Sequence, residues 1–243
     1  MLTALADGSL AEKFGSTPPK VIALHGWART GADFAPILDG IDALALHLPG
    51  FGITPEPASV WGSDEYANAL VDAIAPFAPV VIVGHSFGGR VAVRLAARHP
   101  ELVKGIVLTG SPLVRLQTAS KPALAFRVVR RLAKLKLVSA KTLDRYRQKY
   151  GSADYLAAQG VMRSVLVKVV GEVYDTDLAA ITAPTRFVYG ELDTAAPPKA
   201  GRMAADLMRH ARFTEVPGAG HLLEGPLVPA IRAELDALLA EVA

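Results

Sequence analysis

Cysteine is absent from this chain of 243 residues. Its absence excludes three classes of protein at once: scaffolds held by disulfides, sites that bind a metal through cysteine, and enzymes with a thiol nucleophile. Any nucleophilic chemistry must therefore come from another side chain. The absence fits a reducing compartment, although a chain without cysteine carries no direct information about redox conditions.

The chain also lacks long apolar runs and a strong charge imbalance. No stretch approaches the roughly 18 apolar residues of a membrane helix, and residues 1–7 show no signal-peptide pattern. The 26 basic and 23 acidic residues give a formal net charge of +3, which does not indicate a nucleic-acid binder. Because 51% of the residues are hydrophobic, the chain can bury a large core. We expect a cytoplasmic globular protein.

Short apolar runs alternate with helix-like segments. Continuous apolar runs of this length are typical of strands buried on both faces. The alternation predicts a mostly parallel sheet with helices on both faces, and residues 1–14 predict an antiparallel hairpin. The predicted strands are Val21–Leu24, Ala43–Leu48, Val80–Val83, Gly105–Leu108, Thr185–Tyr189 and Arg212–Val216. The predicted helices are Gly31–Leu38, Ser63–Phe77, Ser86–His99, Pro197–His210 and Gly225–Glu241.

One long segment, from Leu113 to about Ala180, interrupts this alternation because it contains no clear strand. It is too long to be a connecting loop in a compact domain. We therefore predict an inserted helical element over residues 113–180, between two parts of an α/β core at residues 1–112 and 181–243.

The first candidate for chemistry is Ser86, within Gly84-His85-Ser86-Phe87-Gly88. This G-x-S-x-G motif lies between a predicted buried strand and a predicted helix, which is the context of a nucleophile elbow. The two glycines remove side chains that would clash at the sharp turn. Ser86 is then held at the helix start, where backbone N–H groups and the helix dipole favour negative charge.

A serine nucleophile needs a base, and the base needs an acid partner. His221 follows the strand that ends at Val216, and Asp193 follows the strand that ends at Tyr189. Both positions lie at the carboxyl edge of a parallel sheet, where such folds place their sites. We predict that His221 takes the proton of Ser86 and that Asp193 orients the imidazole.

Other residues near these motifs carry groups that could take the same roles. Glu191 stays open as an alternative acid, two residues before Asp193. The four other histidines near the motifs or helix ends are interpreted as structural: His25 as a loop anchor, His85 as a packing residue, and His99 and His210 as helix-end residues.

An acyl-transfer site also needs donors for the oxyanion. The backbone N–H of Phe87, directly after the nucleophile, is one predicted donor. The second is the backbone N–H of Trp27, in the His25-Gly26-Trp27 loop that follows the first parallel strand. The side chains of Trp27 and Phe87 are predicted to line the substrate pocket.

Five motifs now stand in one order: His25-Gly26-Trp27, Pro49-Gly50-Phe51-Gly52, Gly84–Gly89, Gly190–Asp193 and Gly218–His221. In this order the chain resembles the α/β-hydrolase superfamily over nearly its whole length. The resemblance implies an eight-stranded sheet and a helical lid at the predicted insertion. Two positions depart from the common pattern, His47 in place of Asp and Thr54 in place of Ser, and neither is catalytic.

The resemblance also narrows the chemistry. Serine at position 86 disfavours haloalkane dehalogenases and epoxide hydrolases, which use Asp there. His25-Gly26-Trp27 resembles the pimeloyl-[acyl-carrier-protein] methyl ester esterases, although Trp after His-Gly occurs in other esterases as well. The resemblance therefore favours a carboxylic ester as the substrate.

Charge is distributed unevenly along the chain. The segment Leu113–Val170, called the basic segment below, holds 13 Arg or Lys and two acids, Asp144 and Asp154, for a local formal charge of +11. The rest of the chain carries −8. A charged run is usually a solvated helix face, but the near-absence of acids favours an acidic partner, such as an anionic substrate, an acidic carrier protein or an anionic membrane surface.

Together these features predict a serine esterase that works through an acyl-enzyme, with no metal or cofactor. A thioesterase, a lactonase or a carbon–carbon bond hydrolase could use the same groups. A protein of another class, a ligand-sensing receptor with a hydrolase fold, also stays open.

Overall fold

The computed structural model describes residues 1–5, 8–116, 131–132, 135, 137–139 and 153–243. An eight-stranded sheet forms the centre of the fold, in the order β1-β2-β4-β3-β5-β6-β7-β8. The strands are β1 Leu2–Ala4, β2 Leu10–Phe14, β3 Val21–Leu24, β4 Ala43–Leu46, β5 Val80–His85, β6 Val103–Thr109, β7 Thr185–Gly190 and β8 Ala211–Val216.

Strands β1 and β2 form the predicted hairpin, and β2 runs antiparallel to β4. All remaining pairs are parallel. The predicted mostly parallel eight-stranded sheet is therefore confirmed. Because β3, β5, β6, β7 and β8 run in one direction, their carboxyl ends lie along one edge of the sheet.

Helices cover both faces of the sheet. They are α1 Ala35–Leu38, α2 Ser63–Ala69, α3 Val71–Ile74, α4 Phe87–Arg98, α5 Ala153–Ala157, α6 Gly160–Gly171, α7 Asp175–Ala180, α8 Pro198–Asp206 and α9 Leu227–Glu241, with 3₁₀ turns at Gly31–Phe34, Ala75–Phe77 and Pro100–Leu102.

The two hydrophobic clusters explain why the strand sequences are apolar throughout. In β3, Ile22 and Leu24 pack in one cluster with side chains of α2, α4 and α6. The alternate residues Val21 and Ala23 pack in the other cluster, with α1 and α9. Successive strand side chains point to opposite faces, so a strand covered on both sides needs an apolar residue at every position.

The helix predicted over Ser63–Phe77 is shorter in the structure. It is interrupted at Leu70 and continues as α3 and a 3₁₀ turn. Pro76 lies in that turn. Because proline has no N–H for a helical hydrogen bond and crowds the preceding turn, it explains why α3 ends as a 3₁₀ turn, but not the earlier break at Leu70. The prediction of one continuous helix is therefore wrong.

Part of the predicted insertion is described, and residues 153–180 of it hold the three helices α5, α6 and α7. Its described end is joined to the core through Glu172. This carboxylate accepts hydrogen bonds from Ser63 N at 3.1 Å, from Ser63 Oγ at 2.5 Å and from Tyr174 Oη at 2.7 Å. The boundaries 113–180 stay a prediction. Three aromatic residues of the predicted lid that are candidates to line the pocket, Phe126, Tyr146 and Tyr150, lie outside the described residues, as do three of its basic residues, Arg127, Arg130 and Lys134.

Within the described ranges, no helix is long and apolar enough to cross a membrane.

Candidate active site

Ser86 lies at the turn between β5 and α4, with a φ of 52°. A positive φ is costly for a residue with a side chain and persists only where the surroundings enforce it. Here a hydrogen bond of 2.9 Å from Ser86 N to Thr109 O ties the turn to β6. The hydroxyl is therefore presented at the carboxyl edge of the sheet, at the start of α4.

Glycine is required on both sides of this turn. A Cβ at position 88 would lie 2.0 Å from Leu24 O, and one at position 84 would lie 2.6 Å from the Cα of Gly89. Both neighbours are backbone atoms, which cannot rotate away. The close packing of α4 against β3 and β5 is therefore the physical reason for the G-x-S-x-G pattern.

The structure brings Ser86, His221 and Asp193 together. Nε2 of His221 lies 3.2 Å from Oγ of Ser86, and its Nδ1 lies 2.7 Å from Oδ2 of Asp193. Asp193 is 3% exposed, and its other oxygen accepts hydrogen bonds from the backbone N–H groups of Ala195 at 2.9 Å and Ala196 at 2.8 Å. A carboxylate held in this way keeps the imidazole in one orientation.

Glu191 lies elsewhere. Glu191 is exposed, and its carboxylate accepts a hydrogen bond of 2.9 Å from Gly218 N. This contact holds the loop that carries His221, three residues before the histidine. Of the two acids left open by the sequence, only Asp193 contacts the His221 ring in the described part of the chain.

His85 and His25 are buried beside the site. Burial, with a smaller effect of the nearby His221, lowers the pKa of His85 to about 4, and burial also lowers the pKa of His25 to about 4. Both rings are therefore neutral at pH 7. Nε2 of His25 accepts a hydrogen bond from Leu48 N at 3.0 Å, so its Nδ1 carries the proton and donates to Gly26 O at 2.8 Å. His25 is the loop anchor that the sequence predicted.

His85 has a more specific position than a packing residue. Its Nε2 lies 2.9 Å from the carbonyl oxygen of His221, and the two rings are 5.0 Å apart. It therefore holds the backbone of the proposed base. Two further histidines are interpreted from the sequence as helix-end residues. His99 caps the end of α4 and contacts Asn68. His210 is exposed and lies in a turn beyond α8, and not within a helix.

Phe87 is the first residue of α4, so its N–H has no partner within the helix. Trp27 follows β3 and borders the same cavity as Ser86 and Phe87. The indole packs edge-on against Phe87, with ring centroids 5.6 Å apart, and against Phe51 at 4.9 Å. The placement suits the predicted pocket roles of Trp27 and Phe87, and their roles as oxyanion donors stay a prediction.

A cavity of about 330 Å³ opens beside Ser86. Most of its walls are apolar, which suits the acyl chain of a small ester. Its lining residues are Trp27, Ser86, Phe87, Arg90, Pro112, Asp154, Leu166, Val169, Val170, Ala195 and His221. A second cavity of about 350 Å³ shares Arg90, Pro112, Val170 and Ala195 with it.

Three lining or supporting residues were missed by sequence reasoning. Phe51 was visible in the Pro49–Gly52 motif, but its contact with Trp27 depends on the fold. Glu172 follows α6 and gives no local sign that it reaches α2. Arg90 lies one helical turn beyond Ser86, and this i, i+4 spacing could have indicated that it shares a helix face with the nucleophile.

The sheet, the serine at a strand–helix turn, and the histidine and aspartate at the same edge define the class of α/β hydrolases. Residues 21–230 match the family described as "Alpha/beta hydrolase family". The chain belongs to this family.

Relatives in sequence and structure agree with this assignment. A pimeloyl-[acyl-carrier protein] methyl ester esterase from Chromobacterium violaceum is 28% identical over 226 residues, which cover 84% of this chain and 87% of the relative. A 2-(acetamidomethylene)succinate hydrolase from Mesorhizobium japonicum is 30% identical over 95 residues, 37% of this chain and 34% of the relative. The structure of a bromoperoxidase from Bacillus anthracis has a TM-score of 0.74 at 17% identity, covering 99% of this chain and 100% of that one. The predicted resemblance to the pimeloyl-[acyl-carrier protein] methyl ester esterases is confirmed.

Proposed function

We propose that this chain is a serine hydrolase that cleaves a carboxylic ester through an acyl-enzyme. The observation that carries the proposal is the hydrogen-bonded series Asp193, His221 and Ser86 beside an apolar cavity. Relatives named as methyl ester esterases support an ester as the substrate.

In the first half of the reaction, Oγ of Ser86 attacks the ester carbonyl carbon while Nε2 of His221 takes its proton. The N–H groups of Phe87 and Trp27 stabilise the negative oxygen of the tetrahedral intermediate, and one such donor contributes about 2.7–4 kcal/mol. The bond to the leaving oxygen then breaks, and that oxygen receives the proton from His221. The alcohol departs and the acyl group stays on Ser86.

In the second half, a water molecule attacks the acyl carbon and gives its proton to His221. The bond to Ser86 breaks, Ser86 recovers the proton, and the acid leaves. Asp193 stabilises the imidazolium in both halves without taking its proton. The steps require water and no cofactor.

The acyl group of the substrate is proposed to be acidic or carrier-linked. The relative from Chromobacterium violaceum is named for a methyl ester on an acyl-carrier protein, and the relative from Mesorhizobium japonicum is named for a substituted succinate. The +11 charge of the basic segment supports an anionic substrate or an acidic carrier protein. The cytoplasmic location suggested by the sequence stays a prediction.

Covalent labelling tests the mechanism. Phenylmethylsulfonyl fluoride or an organophosphonate is expected to add once, at Ser86, because its adduct mimics the tetrahedral intermediate. Intact-mass spectrometry of the wild-type protein and of Ser86→Ala checks this, together with the turnover of a short p-nitrophenyl ester. Chelators are expected to leave the turnover unchanged.

Two outcomes would contradict the mechanism. Activity that is lost on chelation and restored by zinc would overturn a metal-free reaction. A single slow burst on the p-nitrophenyl ester, in place of fast multiple turnover, would favour the ligand-sensing receptor. Comparison of matched ester, thioester and lactone substrates separates the related hydrolases.

Salt is expected to act differently on neutral and acidic substrates. Surface charges mainly accelerate encounter, and salt screens them over about 8–10 Å. For an ester on an acidic carrier protein, kcat/KM should fall steeply between low and physiological salt. For a neutral p-nitrophenyl ester it should change little, because its encounter is not steered. Steady-state kinetics across a salt series measures both.

Charge reversal provides the control for this prediction. Arg127, Arg130, Arg131 and Lys134 changed to Glu should weaken activity on the carrier-linked ester and spare the neutral ester. Arg131 is exposed, and the other three lie outside the described residues. If both substrates respond alike to salt and to charge reversal, the basic segment is only a solvated surface and the carrier proposal is wrong.

A further inference from the structure

Two arginines lie one turn apart on α4, and each is 8% exposed. A buried charge is costly unless it is paired and hydrogen-bonded. The two residues offer an internal comparison, because the same helix face holds both while their surroundings differ.

Arg94 is fully neutralised. Its guanidinium pairs with Asp177 and lies 3.4 Å from Asp64, and it also donates to Ser63 Oγ at 3.2 Å and to Val173 O at 3.0 Å. It stacks over the Tyr174 ring at 4.6 Å. These contacts join α4 to α2 and α7, so Arg94 has a structural role.

Arg90 has no such carboxylate partner among the described residues. Its Nη1 donates to Val169 O at 2.5 Å, and its guanidinium lies 5.7 Å from the centre of the Tyr174 ring. In the part of the chain that the structure describes, no carboxylate lies within 4.0 Å of it. A buried guanidinium has five N–H donors, and the contacts with described residues neutralise none of its charge.

Arg90 instead borders empty space. It lines both the cavity of about 330 Å³ that contains Ser86 and His221 and the adjoining cavity of about 350 Å³. A cationic side chain nine-tenths buried at the junction of two cavities is suited to a ligand that brings the missing negative charge.

Among the described residues, the other charged groups around these cavities form no ion pair with Arg90. Glu172 lines the second cavity, but its oxygens accept hydrogen bonds from Ser63 and Tyr174 and do not lie within 4.0 Å of the Arg90 guanidinium nitrogens. Asp154 lines the first cavity and is exposed. Arg115, at the second cavity, adds a further positive charge and donates to Val170 O.

We infer that Arg90 binds a free carboxylate of the substrate. The substrate is then a monoester of a short dicarboxylic acid, with one acid group esterified and the other free. The inference rests on the proposed esterase function and specifies its substrate class. Ser86 and Arg90 line one cavity of about 330 Å³, so a substrate within it can place its ester carbonyl at Ser86 and its anion at Arg90 only a few bonds apart. This spacing suits a short dicarboxylate, and not a charged group at the far end of a carrier arm.

Paired substrates test the inference. Monomethyl glutarate and dimethyl glutarate present the same ester, with and without a free carboxylate. A hydrogen-bonded charge pair in a buried site is expected to favour the monoester in kcat/KM by about ten- to hundredfold. Arg90→Gln should reduce this ratio to near one, and Arg90→Lys should restore part of it.

Arg94→Lys is the matched control, since Arg94 has the same burial on the same helix but lines neither cavity. It should leave the substrate ratio unchanged. A second readout needs no catalysis: glutarate should raise the Tm of the wild-type protein by binding the folded state, and should not raise that of Arg90→Gln.

The outcomes separate this inference from the proposed function. Turnover of both glutarate esters at equal kcat/KM, or an equal loss for both in Arg90→Gln, would overturn the role of Arg90 and leave the esterase intact. A glutarate-dependent Tm shift that requires Arg90, without turnover of any ester, would support the anion site and reject the esterase. A preference for the pantetheine thioester of monomethyl glutarate over the free acid would overturn the inference in favour of a carrier-linked chain.

Discussion

Ser86→Ala and His221→Ala are each expected to lower kcat by a factor on the order of 10⁶, and Asp193→Asn by about 10⁴. Without Ser86 no acyl-enzyme forms, and without His221 the proton of Ser86 has no acceptor. Asn at position 193 would stabilise the wrong imidazole tautomer. Residual activity of the order of 10³ over water should persist, since the oxyanion donors remain.

Steady-state kinetics on a p-nitrophenyl ester measures these losses, and circular dichroism checks that each variant folds. The losses should not add: Ser86→Ala combined with His221→Ala should be no slower than either alone. Glu191→Gln is the control, because that carboxylate contacts Gly218 N and not His221. Full activity in Asp193→Asn with an inactive Glu191→Gln would reverse the assignment of the acid.

Gly88→Ala is expected to destabilise the fold by about 3 kcal/mol or more. The added Cβ would lie 2.0 Å from Leu24 O and 2.7 Å from His25 O. Both are backbone oxygens at the end of β3, so α4 itself would have to move away from the sheet. For a chain of this size, each kcal/mol lowers Tm by about 2–4 °C, and the displaced Ser86 should also lose most of its activity.

Gly171→Ala is the matched control, since Gly171 ends α6 and a Cβ there would meet nothing within 4 Å. Its Tm should stay close to that of the wild-type protein, measured by calorimetry alongside Gly88→Ala. Equal Tm values for the two variants would show that the close approach of α4 to β3 does not constrain position 88.

Much of the site could be predicted because its signals are local. A buried strand, glycines at 84 and 88 and a following helix predict an exposed serine at the turn. The order of the strands along the chain then places Asp193 and His221 at the same sheet edge, since parallel strands share one carboxyl edge. The hairpin over residues 1–14 and the parallel strands rest on equally local patterns of apolar residues and turns.

Other features could not be predicted because they join distant parts of the chain. Both Asp193 and Glu191 follow β7, and only the loop geometry decides that Asp193 contacts His221. The predicted single helix over Ser63–Phe77 was wrong because apolar spacing alone does not locate the break at Leu70. Glu172 reaches Ser63 across more than a hundred positions, which no local pattern indicates.

The arginines of α4 show this division most clearly. By itself the sequence determined the fold class, the nucleophile and the candidates for base and acid, because strand alternation and turn chemistry act over a few residues. Arg90 and Arg94 have the same residue type, the same helix and the same burial, so no local pattern distinguishes them. Only the tertiary structure places Asp177 against Arg94 and an open cavity against Arg90, because the neutralisation of a buried charge depends on which distant groups the fold brings beside it.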